Sequence, residues 1–333
     1  MDYLAPITHQ KLALTRNPIL VNVDPVVLAD GLSRVDLRYF LTLYVQKSFQ
    51  AGEYTEYSTL EASEAPPTEG STTSAGAYFE LQARLNDLLS STLPSFNSRQ
   101  ITVCPDLIRR YYYVSARYNG DDLLDTTNSV TGWAIRSGVS ERDYDMYREL
   151  FFTSYIGAGC RFLTWQPDHK SVLTHQPEFL YFVTNFSPVP ASMLLRVKCY
   201  YEDRTSETFT ALSIADVTYM TAYALPVGYD QLGLASRPKK VLSYEVWLSN
   251  QDTQQLSEVR TYRVDYRAYE STRFVLFQNG LGGYDTVACL GVPSTTVKVD
   301  RQILQRFKGY DYLFTVAEEQ INAVSGERSL TLN

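Results

Sequence analysis

Residues 35–46 run with a period of two: Val35, Leu37, Tyr39, Leu41, Leu43 and Val45 at odd positions, Asp36, Arg38, Phe40, Thr42, Tyr44 and Gln46 at even ones. A repeat of two is the side-chain period of an extended strand, so this stretch buries one face only as β-structure. The pattern recurs. Leu195, Val197, Cys199 and Tyr201 share one face, as do Leu242, Tyr244, Val246 and Leu248 against Ser243, Glu245 and Ser249. Tyr262, Val264 and Tyr266 oppose Arg263, Asp265 and Arg267. One polar face per strand is the mark of antiparallel sheets with a wet side.

Turn chemistry fits between these runs. Glu202-Asp203-Arg204-Thr205 separates two strands, and Asn279-Gly280-Leu281-Gly282-Gly283 separates Arg273–Phe277 from Thr286–Leu290, with Asn-Gly as a hairpin signal. Helix is scarce. Leu81, Leu85, Leu88 and Leu89 place one helix within Phe79–Thr92, and a shorter one starts at Ser140 with Asp143, Tyr144 and Tyr147 inside it. The fold expected is mainly β: tandem antiparallel β-sandwiches of the immunoglobulin or fibronectin-III kind with one or two short helices.

Polar stretches at Ser63–Gly76, Asn119–Gly132 and Pro226–Lys240 read as loops, the first as a mobile one. The 333 residues suffice for two domains. We expect a first sandwich over 1–145 with its helix near 79–92, a second over 146–300, and terminal strands over 301–333. In that tail Tyr312–Val316, Ile321–Val324 and Ser329–Leu332 read as strands with a turn at Ser325–Arg328. It is expected to be an assembly arm, or a partial third unit, pairing with a neighbouring subunit.

The 26 Tyr and 15 Phe against 4 Met suit sheets and contact surfaces. A net charge of -7, with only Arg109-Arg110 and Lys239-Lys240 as basic pairs, weighs against nucleic acid as a partner. Cys104, Cys160, Cys199 and Cys289 lie far apart without a Cys-x-x-Cys pair, so we read them as reduced and expect no metal site. The start Met1-Asp2-Tyr3 lacks a basic then apolar stretch, and no apolar run nears 18 residues. The expectation is synthesis in the cytoplasm without a signal peptide, and no membrane span.

Each chemical motif has a plainer reading. Gly280–Gly283 lacks the Lys-Ser/Thr and following helix of a phosphate loop, and Gly157-Ala158-Gly159-Cys160 lacks dinucleotide-binding spacing and reads as a tight bend. Cys160 with His169 or His175 has the residue types of a thiol nucleophile and base without a local signature. Asn119-Gly120-Asp121-Asp122 with Asp125 offers oxygens without calcium-loop spacing. Trp133, Trp165 and Trp247 are candidates for sugar stacking, but core or protein contact accounts for them more simply. No catalytic, cofactor-binding or metal residue is assigned.

Five stretches taken in order carry a resemblance: Asn17-Pro18-Ile19; Leu85-Asn86-Asp87-Leu88-Leu89; Ile108-Arg109-Arg110-Tyr111-Tyr112-Tyr113-Val114; Phe162-Leu163-Thr164-Trp165-Gln166-Pro167; and Leu276 through Thr286, where Leu281-Gly282-Gly283-Tyr284-Asp285-Thr286 is the distinctive part. The sequence resembles structural proteins of phages and prophages of Bacteroidetes-type bacteria, in which fibronectin-III-like β modules build tail or baseplate parts. The resemblance implies a virion or tail-machine component, such as a distal-tail, tip or baseplate subunit. It implies no enzyme activity and no cofactor, and a homo-oligomer whose partners are other subunits of the particle and possible host receptors or glycans. Two other classes stand beside it: a carbohydrate- or cell-surface-binding sandwich, and a Cys- or metal-dependent hydrolase.

Overall fold

A computed structural model describes residues 12–26, 33, 35–66, 76–129, 131–147, 151–292, 294–305 and 319–331. Its strands run in order β1 Leu12–Leu14, β2 Leu20–Val23, β3 Leu37–Gln46, β4 Tyr54–Ser63, β5 Ala77–Glu80, β6 Thr102–Cys104, β7 Ile108–Asn119, β8 Asp122–Asn128 and β9 Gly132–Ile135. There follow β10 Lys170–Leu173, β11 Phe179–Thr184, β12 Ser192–Tyr201, β13 Ser206–Ala215, β14 Thr221–Pro226, β15 Val241–Asn250 and β16 Arg260–Asp265. The last are β17 Arg273–Gln278, β18 Tyr284–Cys289, β19 Ser294–Gln305 and β20 Glu319–Thr331. Two short α-helices, α1 Gln82–Asp87 and α2 Glu141–Tyr147, a π-helix over Phe151–Ala158 and a single 3-10 turn over Leu234–Ser236 complete the regular structure of the described residues. The chain is mainly β, as expected. It divides into unit 1 (Met1–Tyr266 with Leu276–Thr286) and unit 2 (Arg267–Val275 with Val287–Asn333).

Among the described residues unit 1 is built on three larger sheets, ordered β1-β9-β7-β3-β4 with β8 on β7, β10-β16-β15-β12-β13, and β11-β14-β6, beside the two-stranded pair β2-β5. The sheet β11-β14-β6 is the middle layer. Its Leu180, Phe182, Tyr223 and Leu225 pack with Leu195, Val197, Cys199, Tyr244, Val246 and Leu248, giving a two-sheet sandwich. Its opposite side, Phe179, Tyr181, Val183, Ala222 and Ala224, packs with Leu12, Leu14, Ile108 and Ile135. Burial on both faces explains why Phe-Leu-Tyr-Phe-Val-Thr in β11 is apolar throughout instead of alternating. The expected boundary at 145–146 falls inside unit 1. Strand β6, from before it, hydrogen-bonds β14, from after it, in the register Cys104↔Ala222 to Thr102↔Ala224.

The alternation of β3 holds: Leu37, Tyr39, Leu41, Leu43 and Val45 are buried, while Val35 lies outside the strand and is exposed. On β15 the pattern slips at one end. Tyr244, Val246 and Leu248 face inward, but Leu242 is exposed and Val241 takes its place, because a bulge at Tyr200/Tyr201 shifts the register. Not every pair is antiparallel, since β1 runs parallel to β9 and β10 to β16. The helix expected over Phe79–Thr92 is cut to Gln82–Asp87. Phe79 belongs to β5, paired with Val21 of β2, although Leu81, Leu85 and Leu89 still line one buried stripe. Helix α2 starts where expected, with the Ser140 hydroxyl accepting from the Asp143 N–H at 3.2 Å and donating to its carboxylate at 2.7 Å.

The segment Pro226–Lys240 is more than a polar loop, because Val227, Tyr229, Leu232 and Leu234 enter the sandwich core. Residues 67–75 of the expected mobile loop, and Tyr312–Val316 of the tail, lie outside the described residues. The expected turn at Ser325–Arg328 does not form. Strand β20 continues through it, Gly326 pairing with Val299, because β19 supplies hydrogen-bonding partners along the whole stretch. The partner expected from another subunit is therefore the chain's own residues 294–305.

Candidate assembly interface

In unit 2, β19 and β20 form an antiparallel ribbon from Ser294↔Thr331 to Gln305↔Glu319, with a bulge at Gln302/Ile303. Among the described residues it has no third strand, so each strand keeps one unpaired backbone edge. The register sorts its side chains. Val297 lies opposite Arg328, Val299 opposite Gly326 and Arg301 opposite Val324, so these share one face, with Ile303 two positions further on. The other face carries Thr296 opposite Ser329, Lys298 opposite Glu327 and Asp300 opposite Ser325. Val297, Val299, Ile303 and Val324 are 48–60% exposed. Half-burying an aliphatic side chain is worth roughly 1 kcal/mol, so one face of this ribbon gains several kcal/mol if covered. Two-stranded ribbons are marginal alone.

In unit 1 an open groove runs between the sheet-edge strand β4, β5 and α1, lined by Leu60, Glu61, Tyr78, Glu80, Arg84 and Asp87 among others. Tyr78 is half exposed. Glu80 accepts from Gln82 Nε2 at 2.9 Å, and Glu61 lies 4.0 Å from Arg38. The outer face of the same sheet is an aromatic ladder: Tyr44 stacks on Tyr112 directly opposite at 4.9 Å, Tyr54 meets Tyr112 edge-on, and Phe40 meets Tyr118.

The motifs weighed in the sequence are occupied structurally. Asn279 and Leu281 are buried at the tip of the β17–β18 hairpin, where Asn279 Nδ2 donates to the Leu163 carbonyl at 2.9 Å and its Oδ1 accepts from the N–H groups of Leu281 and Gly283. The positive φ is at Gly282, +97°, and the Asn279 N–H closes the loop onto the Gly283 carbonyl. This is a three-residue loop, not a two-residue Asn-Gly turn. Gly159 ends the π-helix, its N–H donating to the Ser154 carbonyl at 2.7 Å, a helix that the sequence did not signal.

The Cys160 thiol donates to the Gly157 carbonyl at 3.0 Å, and burial raises its pKa, the reverse of what a nucleophile needs. His169 is exposed and lies 3.6 Å from Asp168. Among the acidic cluster, Asp121 lies 3.3 Å from Arg38, and Asp125 accepts from both Nε and Nη2 of buried Arg117. That charged hydrogen bond holds the Asp125 carboxyl below its usual range. Among the described residues no group of three or more His, Cys, Asp or Glu side chains is placed to hold a metal.

The basic pairs are also engaged. Arg109 pairs with Asp106 at 2.7 Å, Arg110 stacks over Trp133, Lys239 pairs with Asp203 and Lys240 sits over Tyr266. Of the tryptophans, Trp165 is 55% exposed against Tyr155, Trp133 is partly buried, and Trp247 lies opposite Arg196 on the outer side of β15. All four cysteines are free thiols.

Sequence reasoning missed a buried polar cluster. Lys170 Nζ donates to Glu178 Oε1 at 2.6 Å and to the Thr286 carbonyl at 2.6 Å, Gln176 Nε2 donates to the same Glu178 oxygen, and Thr164 donates to Asp285 at 2.8 Å. Burial raises the pKa of Glu178, with Lys170 opposing, and burial likewise raises that of Asp285. These residues are scattered over more than 120 positions, and no spacing announces them.

No family model matches this sequence, and no curated protein matches it. Solved structures with detectable likeness include the chicken interferon gamma receptor alpha chain, 8% identical, covering 76% of this chain and 94% of that one at a TM-score of 0.18. A score that low carries no argument about this chain. Among the described residues no helix is long and apolar enough to cross a membrane.

Proposed function

We propose that the chain is a structural subunit of a virion or tail-like particle, of the distal-tail, tip or baseplate kind, working through protein–protein contacts and not through catalysis. The observation that carries the assembly role is the β19–β20 ribbon, which holds four aliphatic side chains about half exposed on one face. Contiguous exposed apolar surface is costly for a solitary protein and marks contact sites. The aromatic outer face of the β4-β3-β7 region adds Tyr-rich surface suited to interfaces. The particle setting comes from the sequence resemblance. Sedimentation velocity and negative-stain electron microscopy of the purified full chain test the reading. Concentration-dependent oligomers, rings or tubes are expected. A monomer throughout the concentration series overturns self-assembly, and a monomer that binds a glycan array transfers the chain to the surface-binding class.

A further inference from the structure

Charge is divided unevenly along this chain. Of its 30 Lys and Arg and 37 Asp and Glu, unit 1 holds 23 and 31 and unit 2 holds 7 and 6, so the first is net −8 and the second +1. The apolar face of the ribbon follows the same sign. Beside Val297, Val299, Ile303 and Val324 it carries Arg301 and Arg328, and no carboxylate along the stretch Val297–Ile303, since Lys298, Asp300 and Glu327 are on the other face. The groove in unit 1 has the opposite character: Tyr78 and Leu60 as apolar surface, Glu61, Glu80 and Asp87 around them, and Arg84 as its cation. Asp87 has no ion-pair partner among the described residues, and Glu80 has only the Gln82 amide.

From this complementarity we infer that the ribbon of one copy docks in the β4–β5–α1 groove of a second copy, a head-to-tail contact. The inference rests on the assembly reading above and names its partner surface. Arg301 and Arg328 lie near Glu80 and Asp87, while Val297, Val299 and Ile303 cover Leu60 and Tyr78. A ribbon-to-ribbon contact would set arginines against arginines, and like charges across an interface oppose it. A head-to-tail contact leaves each copy with one free ribbon and one free groove, so it propagates into rings or filaments instead of stopping at a dimer.

Charge reversal in the full chain tests it by sedimentation velocity at low salt, with wild type beside three variants: Arg301→Glu with Arg328→Glu, Glu80→Lys with Asp87→Lys, and all four together. Each double reversal is expected to weaken association by at least about tenfold, and the fourfold variant to restore it, because the charges again match. An equimolar mixture of the two double variants is also expected to reassemble. If wild type associates and the groove reversal leaves it unchanged, the groove inference is wrong while the assembly reading stands. Loss in both double variants without restoration in the fourfold chain or the mixture also overturns it. If wild type never associates, the assembly reading itself fails.

Discussion

Cys104 lies directly opposite Ala222 in the register of β6 and β14, so three residues from the first third of the chain complete a sheet whose other strands come from beyond residue 178. The far side of that sheet is covered by Leu12, Leu14, Ile108 and Ile135. A fragment starting at residue 146 loses both the strand and the cover. It is expected to show no cooperative thermal unfolding by circular dichroism, whereas a sharp transition would mean that the second sandwich stands alone.

The hairpin tip tests backbone geometry. A Cβ on Gly282 would lie 2.6 Å from the Arg136 carbonyl oxygen at φ +97°, and one on Gly283 would lie 2.7 Å from Tyr181 Cδ2 and 3.0 Å from the Leu163 carbonyl oxygen. Alanine at either position is expected to cost about 1–3 kcal/mol. Gly280 has ordinary φ and its nearest neighbour at 3.1 Å, so alanine there costs less, and Gly52, with nothing within 4 Å, is the neutral control. Thermal melts of the four variants read this order directly.

Asp285 is buried, with its carboxylate accepting from the Thr164 hydroxyl, and burial raises its pKa above the usual carboxylate range. A carboxyl raised on folding contributes stability that is fully present below its unfolded pKa and is lost as pH rises through the folded value. The gain in melting temperature of Asp285→Asn over wild type is therefore largest near pH 7 and shrinks toward pH 4. A difference that grows on acidification contradicts this assignment.

Arg117 is buried and held by Asp125 and the Asp24 carbonyl. Asp125→Asn removes the counter-charge, and a buried guanidinium left with weaker partners costs about 1–3 kcal/mol. Since the Asp125 pKa is lowered on folding, this pair stabilises above the unfolded carboxyl pKa and fades as pH falls through the folded value. Urea melts at pH 7 and pH 3 are expected to show a smaller penalty at the lower pH.

Burial pushes the Cys104 thiol up to about 12 and Cys199 up to about 11. At pH 8 a thiol with a pKa near 12 is thiolate in roughly one molecule in ten thousand, against about a quarter for a free cysteine. Alkylation of the native protein at pH 8, followed by peptide mass mapping, is expected to leave both unmodified. Rapid labelling at either site would place it in a far looser core.

What the sequence determined by itself was local and periodic. The period-two runs of β3, β12 and β15 declared both the strand and its buried face, because neighbouring side chains must point to opposite sides of a pleated sheet. Ser140 and Asp143 declared a helix start for an equally local reason, a hydrogen bond reaching three residues along the chain. Tertiary structure decided everything that depends on distant partners. It made Phe79 a strand residue by placing it against Val21, turned Val241 inward in place of Leu242 through a bulge at that end of β15, and carried β20 straight through Gly326. It also brought Lys170 against the buried Glu178 and Asp285. An isolated apolar segment satisfies helix or strand about equally well, and only the partner that accepts its hydrogen bonds and covers its face selects between them.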